Sequence, residues 1–286
     1  MGTEVFLPQS LPEFWDVHGS HPDAAIYHGG TDVLVRLKEA GRTPPAYICL
    51  ERIPELQAVQ DCGEELFVGA GLTHAQILIE PNIATHWPLL PRAVAVLGSP
   101  PIRHAGTLGG NLGTASPAGD TLPPLYCLQA EVHLVSASGR RSLNIQDFIR
   151  GPGHTALQPG ELILGVQAPK AGDWGIQHFE KVGLRKAMTC SLASLAALIK
   201  TAPDGYIQDI RLAWGSLGPT VICSKAMHRK ALGKPLNIQT LNSLADLLQE
   251  KISPIDDQRA SGHYRRQLAP NLLLRLVQET RLPSDY

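Results

Sequence analysis

Residues 99–120 set the first limit on what this chain can fold into. The stretch holds few large apolar side chains and many Gly, Ser, Thr and Pro. It cannot run as one helix or one strand over its length, and it predicts a long loop. A loop of that size inside a compact chain is functional or disordered. Disorder of the whole is excluded by composition, since 43% of the 286 residues are hydrophobic and 18% charged, enough for a real core. The length suits about two domains. The formal charge of −1 gives no broad basic face, and aromatics are 5%. Nucleic acid is therefore not expected as a partner.

On the N-terminal side of that stretch the pattern is strand, glycine break, helix, twice over. Leu11-Pro12-Glu13 opens a helix with Pro well placed in its first turn. Ala25-Ile26-Tyr27 reads as a strand that runs into His28-Gly29-Gly30-Thr31-Asp32, then a helix over Val33–Ala40. Tyr47–Leu50 and Leu66–Val68 are short strands, and Thr73 is an N-cap for a helix through Ile79. A further helix spans Leu89–Leu97. On the C-terminal side, Glu131–Ser136 and Arg141–Ile145 alternate around Ser138-Gly139 as a hairpin. Residues 151–160 read as a Gly/Pro-rich loop and Leu162–Gln167 as a strand. Residues 191–199 fit a helix or a buried strand by period alone. Asp204-Gly205 followed by Ile207–Trp214 favours a hairpin. Leu241, Leu244, Leu247 and Leu248 mark an amphipathic helix. A last helix covers Ser261–Val277, with Pro270 ending or kinking it. A boundary falls near residues 170–176.

Several chemistries are excluded. The five cysteines are scattered, the closest pair being Cys49 and Cys62, and no C-x-x-C occurs. That argues against zinc ribbons, ferredoxin-type clusters and thioredoxin-like pairs, and fits reduced thiols in the cytoplasm. The eleven histidines show no metal spacing, so no metal site is expected in this chain. No apolar run approaches the ~18–20 residues of a membrane helix. The longest, Cys190–Ile199, is half that, and no secretory signal is visible. Val68-Gly69-Ala70-Gly71-Leu72-Thr73-His74 begins like a dinucleotide fingerprint but has His in place of the third Gly. There is no P-loop, G-x-S-x-G or H-E-x-x-H.

Two glycine loops remain: His28-Gly29-Gly30-Thr31-Asp32, and Thr107-Leu108-Gly109-Gly110-Asn111-Leu112 with Ala115–Asp120 behind it. Paired glycines admit a close backbone approach. Successive N–H groups near a helix start make an anion site. Thr31, Thr107, Asn111, Thr114 and Ser116 add short side chains for phosphate oxygens or hydroxyls. Two such loops suggest a diphosphate held from two sides.

The order H-G-G-T-D, then Thr107-x-Gly109-Gly110-Asn111, then Ser116-Pro117-x-x-Asp120 resembles the FAD-binding medium subunit of the molybdenum hydroxylases, the family of xanthine and carbon monoxide dehydrogenases. Similarity continues through Asp147-Phe148, Gly151-Pro152-x-x-Thr155, Gly160–Ile163, Phe179–Arg185 and Arg259–Arg266, nearly the whole chain. The resemblance implies an α+β fold. An α/β FAD-binding domain of the vanillyl-alcohol-oxidase (PCMH) type would cover residues 1–172, in subdomains of about 1–57 and 58–172. A C-terminal domain, residues 173–286, would be a three-stranded antiparallel sheet with helices. That makes residues 191–199 a strand.

The resemblance also implies roles. Gly29, Gly30, Thr31 and Asp32 would hold the FAD diphosphate, with His28 just before them and Thr107, Gly109, Gly110 and Asn111 as the second loop. Asp120 would accept hydrogen bonds from FAD hydroxyls. Leu164 and Lys181 match positions near the flavin, where a Lys can stabilise negative charge. His28 stands where many members have Ala, and its ring either touches the cofactor or fills space. No residue of this chain is expected to act as acid or base on the organic substrate. The implied function is electron transfer through FAD, from [2Fe-2S] clusters on a small subunit, with molybdopterin on a large subunit, to NAD⁺ or another acceptor. The alternatives are a cofactor-free scaffold subunit and a self-sufficient flavin reductase or oxidase.

Overall fold

A computed structural model describes residues 3–170, 172, 174–185 and 188–279. The expected boundary segment includes residues 171 and 173, which lie outside the described residues. Contacts divide the chain into two compact units. The first comprises Met1–His86, Gly98–Ala115 and Gln129–Lys170; the second comprises Trp87–Leu97, Ser116–Leu128 and Ala171–Tyr286.

Among its described residues the first unit contains ten strands: β1 (Glu4–Phe6), β2 (Ala25–Tyr27), β3 (Ala46–Cys49), β4 (Val59–Cys62), β5 (Glu65–Gly69), β6 (Glu131–Ser136), β7 (Gly139–Asn144), β8 (Ile149–Gly151), β9 (His154–Thr155) and β10 (Leu162–Pro169). The first three form a parallel sheet in the order β1-β3-β2. Parallel strands need crossovers: the helix Leu11–Ser20 carries the chain from β1 to β2 on the far side of β3, and the helix Val33–Glu39 carries it back to β3 between them. The N-cap of the first is Ser10, whose hydroxyl accepts from the Glu13 N–H, and that helix buries Leu11 and Phe14. A five-stranded antiparallel sheet follows in the order β4-β5-β10-β6-β7. Leu11, Phe14, Ile48, Ile53, Leu56, Phe67, Val135, Leu162 and Leu164 form one apolar core with residues from both sheets. The β6–β7 hairpin forms as the alternation indicated, with its turn at Ala137-Ser138 and Gly139 already paired with Ser136.

The long loop expected over 99–120 is a correction. Two short helices lie within it, Pro100–Ala105 and Leu108–Thr114. Each is started by a side-chain cap, Ser99 to the Ile102 N–H and Thr107 to the Gly110 N–H. Caps and tertiary bonds outweigh the poor helix propensity of the glycines. Ala115, in the left-handed region at φ 47°, ends the second helix.

The second unit is built on β11 (Ile176–Val182), β12 (Ala193–Thr201), β13 (Ile207–Gly215) and β14 (Ile222–Cys223), antiparallel in that order. Three are long, and β14 adds a two-residue edge. Residues 191–199 are ambiguous by period because β12 is buried on both faces. Ala193, Leu195, Ala197 and Ile199 join the core with residues of the helices Lys225–Ala231, Ile238–Gln249 and Gly262–Leu274. Ser194, Ala196 and Leu198 turn the other way. They are buried as well, and the helix Leu122–Cys127 packs on β12 and β13. A strand covered on both sides loses its alternation. The last long helix passes through Pro270 and ends at Leu274, short of Val277. Among the described residues, no helix is long and apolar enough to cross a membrane.

Candidate cofactor site

The first glycine loop leaves the end of β2 and enters the helix Val33–Glu39. Gly29 is compelled by packing. A Cβ there would lie 1.6 Å from the carbonyl oxygen of Ala105. Gly30 is compelled by its backbone, at φ +68°. None of the N–H groups of Gly29, Gly30, Thr31, Asp32 and Val33 donates to a protein acceptor among the described residues, and all five residues are half-buried. Successive amides flanking a left-handed residue form a concavity that suits an anion. The side chain of Asp32 faces other work. It accepts from Thr114 Oγ1 at 3.0 Å and pairs with Arg36 Nε at 3.0 Å.

The second loop behaves differently, and this corrects the expectation of a second anion site at its amides. The Leu108 N–H donates to Leu72 O, the Gly109 N–H to Ala70 O and the Gly110 N–H to Thr107 Oγ1. Those are the first three amides of the helix, and all are used within the protein. Gly109 is required because a Cβ would stand 2.5 Å from that of Ala70. Gly110 is exposed, with only Thr107 Oγ1 within 4 Å of its missing Cβ.

Both loops border one cleft of about 280 Å³ in the first unit. His28, Thr107, Gly109 and Gly110 line it, together with Tyr27, Gly71, Leu157, Glu161, Leu162 and Ile163. The wall over 157–163 is held by a two-pronged ion pair. Arg141 Nε and Nη2 meet Glu161 Oε1 and Oε2 at 2.6 and 2.7 Å. Arg141 Nη2 also donates to Ala156 O, and the Gln158 N–H donates to Glu161 Oε2. The guanidinium holds the Glu161 carboxyl below the usual carboxylate range. Leu164 sits at a β-bulge between Ile163 and Gly165. Its side chain belongs to the apolar core and its carbonyl accepts from the Ala70 N–H. Asn111 stays in the helix, its N–H donating to Thr107 O.

Gln57 Nε2 donates to Nε2 of the cleft residue His28 at 3.0 Å. Burial lowers the His28 pKa, against the pull of Glu51. Neither Gln57 nor the Arg141–Glu161 pair carries a sequence signal, since nothing in their spacing shows them to be neighbours. Gly71 was visible only as part of a tight turn.

Ser116, Asp120 and Lys181 belong to the second unit. Ser116 Oγ accepts from the Ala118 N–H. Asp120 Oδ2 accepts from Lys181 Nζ at 2.6 Å, with side-chain exposures of 7% and 5%. Lys181 also donates to Val96 O at 3.3 Å. Burial pushes the Asp120 carboxyl up to about 6, against the opposing charge of Lys181. Its other oxygen, Oδ1, is buried and meets no hydrogen-bond partner among the described residues. An unpartnered buried carboxylate oxygen is an acceptor awaiting a donor.

Comparison with known proteins agrees with this picture. Residues 1–171 match the family described as the FAD binding domain in molybdopterin dehydrogenase, and residues 178–280 match the CO dehydrogenase flavoprotein C-terminal domain. The chain is 30% identical over 251 residues to the glyceraldehyde dehydrogenase medium chain of Sulfolobus acidocaldarius, covering 88% of each. It is 27% identical over 278 residues to the nicotinate dehydrogenase FAD-subunit of Eubacterium barkeri, covering 96% of this chain and 94% of the relative. Quinoline 2-oxidoreductase from Pseudomonas putida 86 contains a chain of the same fold, with a TM-score of 0.91, 27% identity and coverage of 98% and 96%. The open amides, the shared cleft and the matches over both parts of the sequence lead to one conclusion: the chain belongs to the FAD-binding medium subunits of the molybdenum hydroxylases, and is an oxidoreductase subunit.

Proposed function

We propose that this chain binds FAD through the 28–32 loop and the adjoining cleft, takes electrons from [2Fe-2S] clusters of a partner subunit and passes them to NAD⁺ or another acceptor. The observation that carries the reading is the run of five amides, Gly29 to Val33, with no protein acceptor among the described residues, beside a cleft lined by His28, Thr107, Gly109 and Gly110. Bound FAD supplies the one- and two-electron chemistry; the protein supplies binding, position and field.

Each residue has a limited task. The amides of Gly29 to Val33 bind diphosphate oxygens. Thr107 and Gly110 shape the cleft that His28 also lines. Leu157, Leu162 and Ile163 keep water from the apolar part of the nucleotide. Asn111, Thr114 and Asp32 hold the loops in place, and Leu164 holds the cleft wall to the core. In the second unit, Asp120 accepts a hydroxyl hydrogen bond at Oδ1 while Lys181 offsets its charge, with Ser116 fixing the turn before it. No side chain of this chain acts as acid or base on the organic substrate, which a molybdopterin subunit would oxidise. Residues 1–172 and 173–286 are the corresponding functional divisions, with subdomains of about 1–57 and 58–172. The five free cysteines fit the reducing cytoplasm.

The test is the visible spectrum of the purified chain and analysis of what acid releases from it, followed by rapid mixing with reduced iron–sulfur partner. Released FAD that is reduced only when the partner is present is the expected result. A protein that takes up no FAD leaves a scaffold subunit instead. Oxidation of an organic substrate by the chain alone would sink the electron-transfer reading.

A further inference from the structure

His28 is the cleft residue whose purpose neither loop explains. It precedes the five open amides directly and lines the cleft with Thr107, Gly109 and Gly110. Its Nε2 lies 3.0 Å from Gln57 Nε2. A carboxamide nitrogen only donates, so His28 Nε2 must accept, and a neutral imidazole then carries its proton on Nδ1. Nδ1 meets no partner among the described residues. Room for the pair comes from Gly71, where a Cβ would lie 2.8 Å from Gln57 Nε2 and 3.0 Å from His28 Nε2. Three residues distant in sequence thus fix one ring nitrogen as a donor at the mouth of an anion-binding loop.

We propose that His28 Nδ1–H donates to a diphosphate oxygen of bound FAD, and that Gln57 is the positioning residue that locks the ring in the required tautomer. This rests on the reading that FAD occupies the cleft. A neutral donor adds a directed hydrogen bond to the backbone amides without bringing a fixed charge into the cleft. Hydrogen bonds to charged groups are among the stronger ones.

The experiment titrates the full chain, stripped of cofactor, with FAD and separately with ADP, a probe that keeps the diphosphate and lacks the flavin. His28→Ala is expected to weaken both ligands by about tenfold, the equivalent of one charge-assisted hydrogen bond. His28→Asn places an amide N–H near the position of Nδ1 and should restore most of the affinity. Gln57→Leu should cost about threefold, and the double variant should be no weaker than His28→Ala, because the two residues act as one unit. Nitrogen-15 NMR of the stripped wild-type chain should find the His28 proton on Nδ1, a readout independent of FAD. Thermal unfolding of each variant confirms that it is folded. Unchanged affinity in a folded His28→Ala, an Asn variant as weak as the Ala variant, or a proton on Nε2 would each overturn the proposal and leave the FAD reading standing. A wild-type chain that takes up neither FAD nor ADP would overturn both.

Discussion

The two glycine loops have nearly the same composition and opposite hydrogen bonding. The amides of Gly29 to Val33 meet no acceptor among the described residues, whereas those of Leu108, Gly109 and Gly110 are all satisfied within the protein. In each pair the first glycine is there for packing, Gly29 against Ala105 and Gly109 against Ala70. The second glycine differs. Gly30 turns the chain through the left-handed region, while Gly110 adopts ordinary helix and faces outward. A glycine pair is thus no measure of ligand contact. What separates a binding loop from a bracing loop is where its N–H groups go.

The largest expected effect breaks the packing of the first loop. Gly29→Ala puts a methyl 1.6 Å from the backbone oxygen of Ala105, and backbone has no rotamer by which to escape. The loss should reach about 3 kcal/mol or more, read as a collapse of the urea midpoint with no FAD retained. Near-wild-type stability would show that the loop can shift away from Ala105, and the packing account would fail.

Next comes a control outside both loops, which sharpens the comparison because backbone bonding does not titrate. The Asp120 carboxyl is raised from 3.8 to about 6, by burial first. The folded state therefore binds its proton more tightly than the unfolded state. Its contribution to stability is complete below pH 3.8 and is lost as pH rises through about 6. A rise of that size corresponds to about 3 kcal/mol. Unfolding free energies of wild type and Asp120→Asn are to be measured between pH 4 and 7 without FAD. Over that range the wild type should lose about that much stability relative to the Asn variant, which carries no titrating group at this position. Parallel curves would deny Asp120 its raised pKa.

Much of this was legible from residue types alone. The first glycine pair, the β6–β7 hairpin and the helix on Leu241, Leu244 and Leu248 follow from local chemistry. The helices inside 99–120 were also within reach, since Ser99-Pro100 and Thr107 are ordinary N-cap signals that the glycine content obscured. The closure of the second loop was not legible, because its acceptors, Ala70 and Leu72, stand more than thirty residues earlier in the chain. The same holds for Gln57 beside His28 and for the helix Leu122–Cys127 that covers β12 and erases its alternation. Local pattern reports which residues turn or alternate; partners brought by the fold decide which amides remain free.

A smaller effect tests the bracing role of the second loop. Thr107→Ala removes the acceptor of the Gly110 N–H at 3.0 Å and should cost about 1 kcal/mol of stability. FAD affinity should fall only slightly, because the amide so freed belongs to a loop whose other two leading amides stay bonded. An affinity loss larger than the stability loss would make Thr107 a ligand contact instead of a cap.

The smallest stability effect is also the sharpest discriminator. At Gly110 a methyl group would meet only Thr107 Oγ1, at 3.0 Å, on an exposed helical residue. Alanine is the better helix former by up to about 1 kcal/mol, so Gly110→Ala should leave the urea midpoint unchanged or slightly higher. Yet Gly110 lines the cleft together with His28, and a Cβ there narrows it. FAD affinity should therefore drop severalfold in a protein that is no less stable. Gly29→Ala would lose both properties together, because in that loop the glycine serves packing first. If Gly110→Ala bound FAD as wild type does, the second glycine pair would serve helix packing alone. The binding function would then rest on the first loop alone.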